Sequence, residues 1–235
     1  MNDQIKLSDQ IELARWEMAF ELLSMERVKP FLNDMGLSIS NPDSIQSVAR
    51  RFLEQIERTS NDMQKERTIL QETLADIALV TDNQTAQNLY QWVMRTFSPG
   101  NQRGMFRWAW LLKWAAGVGG REDSPTLPAL DREKIDAIVQ IVREKFRDET
   151  DLERRLDEAE LLPKSGWDAE VYKKYEAGYS PLHSVSGTIE DYRTQQMLED
   201  IKTLLTIEEM EILLKWAKDQ APHLNITPES IKLPS

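Results

Sequence analysis

The sequence predicts an all-α protein, a multi-helix bundle of two helical subdomains joined by a Gly/Pro-containing linker, and three observations carry that reading. Apolar residues recur at spacings of three and four along most of the 235-residue chain, the period of a helix with one buried face. No segment alternates apolar and polar residues as a half-buried strand would, and no hairpin dipeptide sits between alternating runs. Helix start and stop signals punctuate the periodic stretches at plausible lengths.

The first helix runs from Ser8 toward Lys29, with one apolar row at Ile11, Ala14, Met18, Leu22 and Met25 and a second at Trp16, Phe20 and Leu23. Together they predict a wide buried face. Pro30 breaks or kinks this helix, and a short turn follows that ends at Gly36, where a left-handed cap is natural. Asn41 and Pro42 then read as a cap and first helical position. Helical spacing continues through Ile45, Val48, Phe52, Ile56, Met63, Leu70, Leu74 and Ile77, as one long helix or one broken at Thr59, Ser60 and Asn61.

Asp82 and Asn83 open the next helix, with Ala86, Leu89, Tyr90, Val93, Met94 and Phe97 on one side. The turn Ser98-Pro99-Gly100-Asn101 separates it from a tryptophan-rich helix ending at Gly117. Further on, Asp131 is placed to cap a helix with the stripe Ile135, Ile138, Val139, Val142 and Phe146. Thr150 and Glu153 have the spacing of a capping box, and the helix they would open stops before Pro163. A short helix over Asp168 to Glu176, a helix from Thr188 and a helix opened by a Thr206-to-Glu209 box complete the series.

The glycines and prolines after Gly117 mark the expected boundary. The domains are then 1–120 with the aromatic helix, a linker at 121–130, an acidic helical domain at 131–221 and an extended tail at 222–235. Charge divides near the same place: residues 1–121 carry 14 Lys and Arg against 15 Asp and Glu, and residues 122–235 carry 15 against 25. Acidic surface repels phosphate backbones, so a nucleic-acid contact would belong to the first part.

Composition removes several chemistries. The chain has no cysteine and two histidines, His183 and His223. Disulfides, thiolate metal sites and cysteine nucleophiles are therefore absent, and both histidines fall in proline-flanked loops unsuited to a triad or a metal centre. The glycines at 117, 119 and 120 lack the Lys-Ser/Thr of a phosphate loop. Paired acids at Glu54 and Glu57, Glu133 and Asp136, and Glu208 and Glu211 have a helical metal-binding spacing. So many acids make that spacing common, and no catalytic residue, metal ligand or cofactor is assigned. No apolar run approaches the roughly 20 residues that span a bilayer, and a cytoplasmic location without membrane contact is expected.

What remains is the segment Gln91 to Arg121, which holds four of the seven tryptophans, five basic residues and no acid, in a chain of net charge -11. On a helix of about 100° per residue, Arg103, Phe106, Arg107, Trp110, Lys113, Trp114 and Gly117 share one side. Met105, Trp108, Ala109, Leu111, Leu112, Ala115 and Ala116 share the other. The first side mixes cations with rings, and the second suits a core.

Such a face fits the aromatic centre of a protein interface, or a nucleic-acid strand whose bases stack on rings. A core helix whose cationic heads reach outward is the plain alternative. The expectation is a non-enzymatic binding or assembly protein that meets a protein partner, or a second copy of itself, through Arg103, Phe106, Arg107, Trp110, Lys113, Trp114 and Arg121. A nucleic-acid-associated protein using that face and a helical enzyme using carboxylate-bound metal are the competing readings.

Overall fold

A computed structural model describes residues 7–59, 62–97, 109–118, 124–162 and 185–222. The chain is all-α, with nine α-helices and no strand among the described residues. The helices are α1 (Leu7–Leu23), α2 (Pro42–Glu57), α3 (Met63–Val80), α4 (Asn83–Thr96), α5 (Ala109–Ala115), α6 (Arg132–Phe146), α7 (Glu149–Glu158), α8 (Val185–Leu204) and α9 (Ile207–Gln220). They fall into two compact units, one of Met1–Gly100 with Leu156–Ile189 and one of Asn101–Arg155 with Glu190–Ser235.

In the first unit α1 packs on α2, α3 and α4. Its interior face is Leu13, Trp16, Ala19, Phe20, Leu22 and Leu23, whereas Ala14 is exposed and Met25 lies at the surface beyond the helix. The Trp16, Phe20, Leu23 row is buried throughout, and Leu22 joins it from the other row, so the buried face is wide. Helix α1 also ends earlier than its apolar spacing suggests. The Ser24 hydroxyl donates to the Glu21 carbonyl at 2.8 Å, competing with continued helix. A 3-10 turn, Glu26–Phe31, follows and contains Pro30.

Gly36 then takes φ 75°, and the Leu37 amide donates to the Leu32 carbonyl at 2.8 Å. That is the left-handed closure expected of glycine at a helix end. Asn41 caps α2 by accepting from the Ser44 amide, with Pro42 at the first helical position. The apolar run beyond is two helices, because Asp62 caps a new start by accepting from the Lys65 amide. Asp82 caps α4 in the same way through the Thr85 amide at 2.7 Å. Those bonds from Thr85 hold the Asp82 carboxyl below its usual range.

Trp92, Leu89, Val93 and Phe97 form the buried side of α4, while Tyr90 is 48% exposed. Trp92 therefore leaves the tryptophan-rich group to join this core. Rings of Phe20 and Phe52 meet at 4.7 Å between centroids, and those of Trp92 and Phe97 at 5.2 Å, edge to face. Such pairs add specificity to burial worth about 1.5–3 kcal/mol per large side chain.

The second unit is built on one cluster: Ala109, Leu111, Leu112 and Ala116 from the α5 segment, Ile138, Val142 and Phe146 from α6, Met197, Leu198 and Ile201 from α8, and Met210, Leu213, Trp216 and Ala217 from α9. The indole of Trp216 donates to the Thr126 carbonyl at 2.7 Å, tying down the approach to α6. Asp131 occupies the cap position of α6 but makes no side-chain capping bond. Helix α7 starts at Glu149, so Thr150 lies inside its first turn rather than capping it. Only Arg147 and Asp148 separate α6 from α7, which leaves no extended residue for the predicted cap.

Helix α8 begins at Val185, ahead of Thr188. The Thr206 capping box forms as predicted: Thr206 Oγ1 accepts from the Glu209 amide and Glu209 Oε2 accepts from the Thr206 amide. The short helix expected over 168–176, the tail from His223 and both histidines lie outside the described residues.

Candidate partner-binding helix

Helix α5 is positioned by its small and aliphatic residues. Ala109 and Leu112 are fully buried, with Leu111 and Ala116 nearly so. They occupy the side that the sequence assigns to a core, and α5 packs on α6 through it. At the C-terminal end Gly117 takes φ 73°. The Val118 amide donates to the Lys113 carbonyl at 2.9 Å and the Gly117 amide to the Trp114 carbonyl at 2.9 Å. These bonds satisfy carbonyls that would otherwise be orphaned in the last turn. Arg143 of α6 completes the end, its Nε donating to the Ala116 carbonyl at 2.8 Å.

The opposite side divides into three environments. Trp110 is 42% exposed and belongs to no buried cluster. Trp114 is partly buried and packs against the core of its unit. Lys113 lies between these and is held internally: its side chain is 12% exposed, and its Nζ reaches Glu149 Oε1 at 2.5 Å and Glu190 Oε1 at 3.7 Å. The ammonium also sits 4.1 Å from the centroid of the Phe146 ring, a cation–π geometry. Two carboxylates and a ring thus enclose the one cation that α5 carries.

Of the residues assigned to the partner face, the structure brings together Trp110, Lys113 and Trp114 on one helix. Arg103, Phe106, Arg107 and Arg121 lie outside the described residues. The part of the face on view is therefore an exposed indole flanked by a neutralised lysine and a half-covered ring. Periodicity alone could not reveal the partners of Lys113, because Glu149 and Glu190 are distant in sequence.

Other chemistry finds little support among the described residues. Glu54, Glu57, Glu133, Asp136, Glu208 and Glu211 are all exposed, and no three His, Asp or Glu side chains converge where they could hold a metal ion. In the first unit an open groove of about 320 Å³ is lined by Asp43, Ser44, Ser47, Val48, Arg51 and Val80. Its charges are engaged already, Asp43 by Lys29 and Arg51 by Asp76. No helix among the described residues is long and apolar enough to cross a membrane.

Sequence reasoning missed one group, the half-buried Glu17 of α1 and the buried Glu66 of α3. Burial, then the charges of Glu66 and Glu21, push the Glu17 carboxyl up to about 6. The signal for Glu66 was its place four residues before Leu70 in the apolar register of α3. No family model, curated protein or solved structure matches the chain.

Proposed function

We propose that this chain is a non-enzymatic helical binding or assembly protein that meets a protein partner, or a second copy of itself, through the Trp110 side of α5. One observation carries the reading: Trp110 is 42% exposed on a helix whose other side is sealed in a core. A large amphipathic ring held rigidly at a surface is the kind of residue that anchors interfaces, at little cost in side-chain entropy. The arginines assigned to the same face, Arg103, Arg107 and Arg121, would supply the polar rim and favour an acidic partner surface.

The competing nucleic-acid reading draws on those arginines and on the absence of acids from Gln91 to Arg121. Enclosure of Lys113 by Glu149 and Glu190 removes one cation from that account, which favours the protein partner. The test is recovery of complexes on the tagged chain from its native cell, with and without nuclease, beside sedimentation of the pure protein. The Trp110→Ala, Arg107→Ala double variant should lose the nuclease-resistant partner or the self-association while keeping its helical circular dichroism. An unchanged complex would refute the proposal, and loss on nuclease treatment would select the nucleic-acid reading.

A further inference from the structure

Helix α9 buries one side and leaves the other exposed. Met210, Leu213, Trp216 and Ala217 enter the core of the second unit, while Ile207 is 80% and Ile212 42% exposed. Glu208 and Glu211 stand between the isoleucines, Lys215 and Lys218 follow them, and all four are exposed. On a helix of about 100° per residue these six residues fall within an arc of about 140°. The Thr206 capping box fixes where the helix begins, so the face they form has a set register.

The charges of this face are not paired within the chain. Glu211 and Lys215 have the spacing of an intrahelical pair, yet among the described residues no ion pair reaches Glu208, Glu211, Lys215 or Lys218. The α9 residue that an ion pair does claim is Glu209, by Lys134. Acids in the first turn and lysines in the last are what the dipole favours in any helix. The dipole does not account for exposed isoleucines at the margins of the same face. An acidic first half and a basic second half also make the face complementary to itself once reversed, which is what a two-fold axis does.

We propose that α9 is the contact surface of a homodimer, in which the exposed sides of two α9 helices pack antiparallel across a two-fold axis level with Leu213. Glu211 of each copy then meets Lys215 of the other, and Glu208 comes level with Lys218, so each charged pair occurs twice. The two Ile212 side chains meet on one flank, and on the other each Ile207 covers the aliphatic stem of the second copy's Lys218. Asp219, exposed beside Lys218, stays at the open end of the Ile212 flank. One helix pair buries less than about 1,200 Å², so the dimer is weak and reversible. The contact uses no residue assigned to the Trp110 side of α5 and does not depend on that reading.

The test is sedimentation equilibrium of the full chain over a concentration series reaching on the order of 100 μM, where a contact of this size is populated. A monomer–dimer equilibrium is expected. Glu211→Lys and Lys215→Glu should each raise its dissociation constant about tenfold by opposing like charges, and the double variant Glu211→Lys, Lys215→Glu should restore it. Ile212→Gln, which changes no charge, should weaken the dimer as well. Each position is exposed, so helical circular dichroism should be unchanged; if Glu211→Lys loses helix, Ile212→Gln carries the measurement. A chain that stays monomeric throughout, or a dimer indifferent to the reversals and to Ile212→Gln, would overturn the proposal. A dimer lost in the Trp110→Ala, Arg107→Ala variant but kept in the α9 variants would overturn it too and assign self-association to α5.

Discussion

The indole Nε1 of Trp92 donates to the Met35 carbonyl at 3.0 Å, joining residues 57 apart in the chain, and both side chains are buried. This single bond fixes α4 against the loop that Gly36 closes. Trp92→Phe keeps a ring but strands the carbonyl, at a cost of about 1–3 kcal/mol for the unmet acceptor. Urea denaturation should show the midpoint falling with little change in slope.

Trp110 and Trp114 should respond differently to truncation. Trp110→Ala removes an exposed ring and should alter stability by less than about 1 kcal/mol, whereas Trp114→Ala opens space against a packed core and should cost about 2–3 kcal/mol. Equal losses in thermal melts would mean that Trp110 is also a core residue, and the interface proposal would fail with it.

Gly117→Ala isolates backbone conformation from packing. An added Cβ would meet Arg143 Nη2 at an ordinary 3.6 Å, but the position has φ +73°. The expected loss is about 1 kcal/mol from the left-handed conformation, and Gly117→Asn should lose less. Chemical denaturation of the pair checks the order.

Lys113→Met retains the side-chain stem and removes the charge. Glu149 and Glu190, at 35% and 41% side-chain exposure, would then face each other without their shared cation. Because water still reaches both, the expected destabilisation is about 1–2 kcal/mol, below that of a fully buried broken pair. It should fall further in the double variant Lys113→Met, Glu149→Gln, a comparison made by equilibrium unfolding.

The raised Glu17 carboxyl gives stability a definite pH dependence. Its proton is held more tightly in the folded chain, so this contribution is fully present below the ordinary 4.5 and is lost as pH rises through about 6. A rise of that size is worth about 2 kcal/mol if undamped, and solvent screening at a half-exposed side chain brings the expectation to about 1 kcal/mol. Glu17→Gln should therefore melt higher than the unsubstituted chain at pH 7 and equal to it near pH 4.

Local chemistry was the legible part of this sequence. Asn41, Asp82 and Thr206 cap helices because each side chain needs only an amide three residues away, and Gly36 and Gly117 close helices because the left-handed turn suits glycine. Spacing also identified Ala109, Leu111, Leu112 and Ala116 as the core side of α5. Distant pairing was not legible. Nothing local distinguishes Lys113 from an exposed lysine until the helices that face it are in place. Thr150 shows the converse, a correct local spacing overridden by the two-residue turn between α6 and α7.

Glu209 joins those two kinds of information in one carboxylate. Its Oε2 accepts from the Thr206 amide at 2.8 Å, and the same group receives Lys134 Nζ of α6 at 2.5 and 2.6 Å. That lysine, with the Thr206 amide, holds the carboxyl below its ordinary range. A start signal written within four residues is thereby countersigned by a residue 75 positions upstream. The register at which α9 begins becomes conditional on α6, and a neighbouring start one residue away would forfeit both bonds at once.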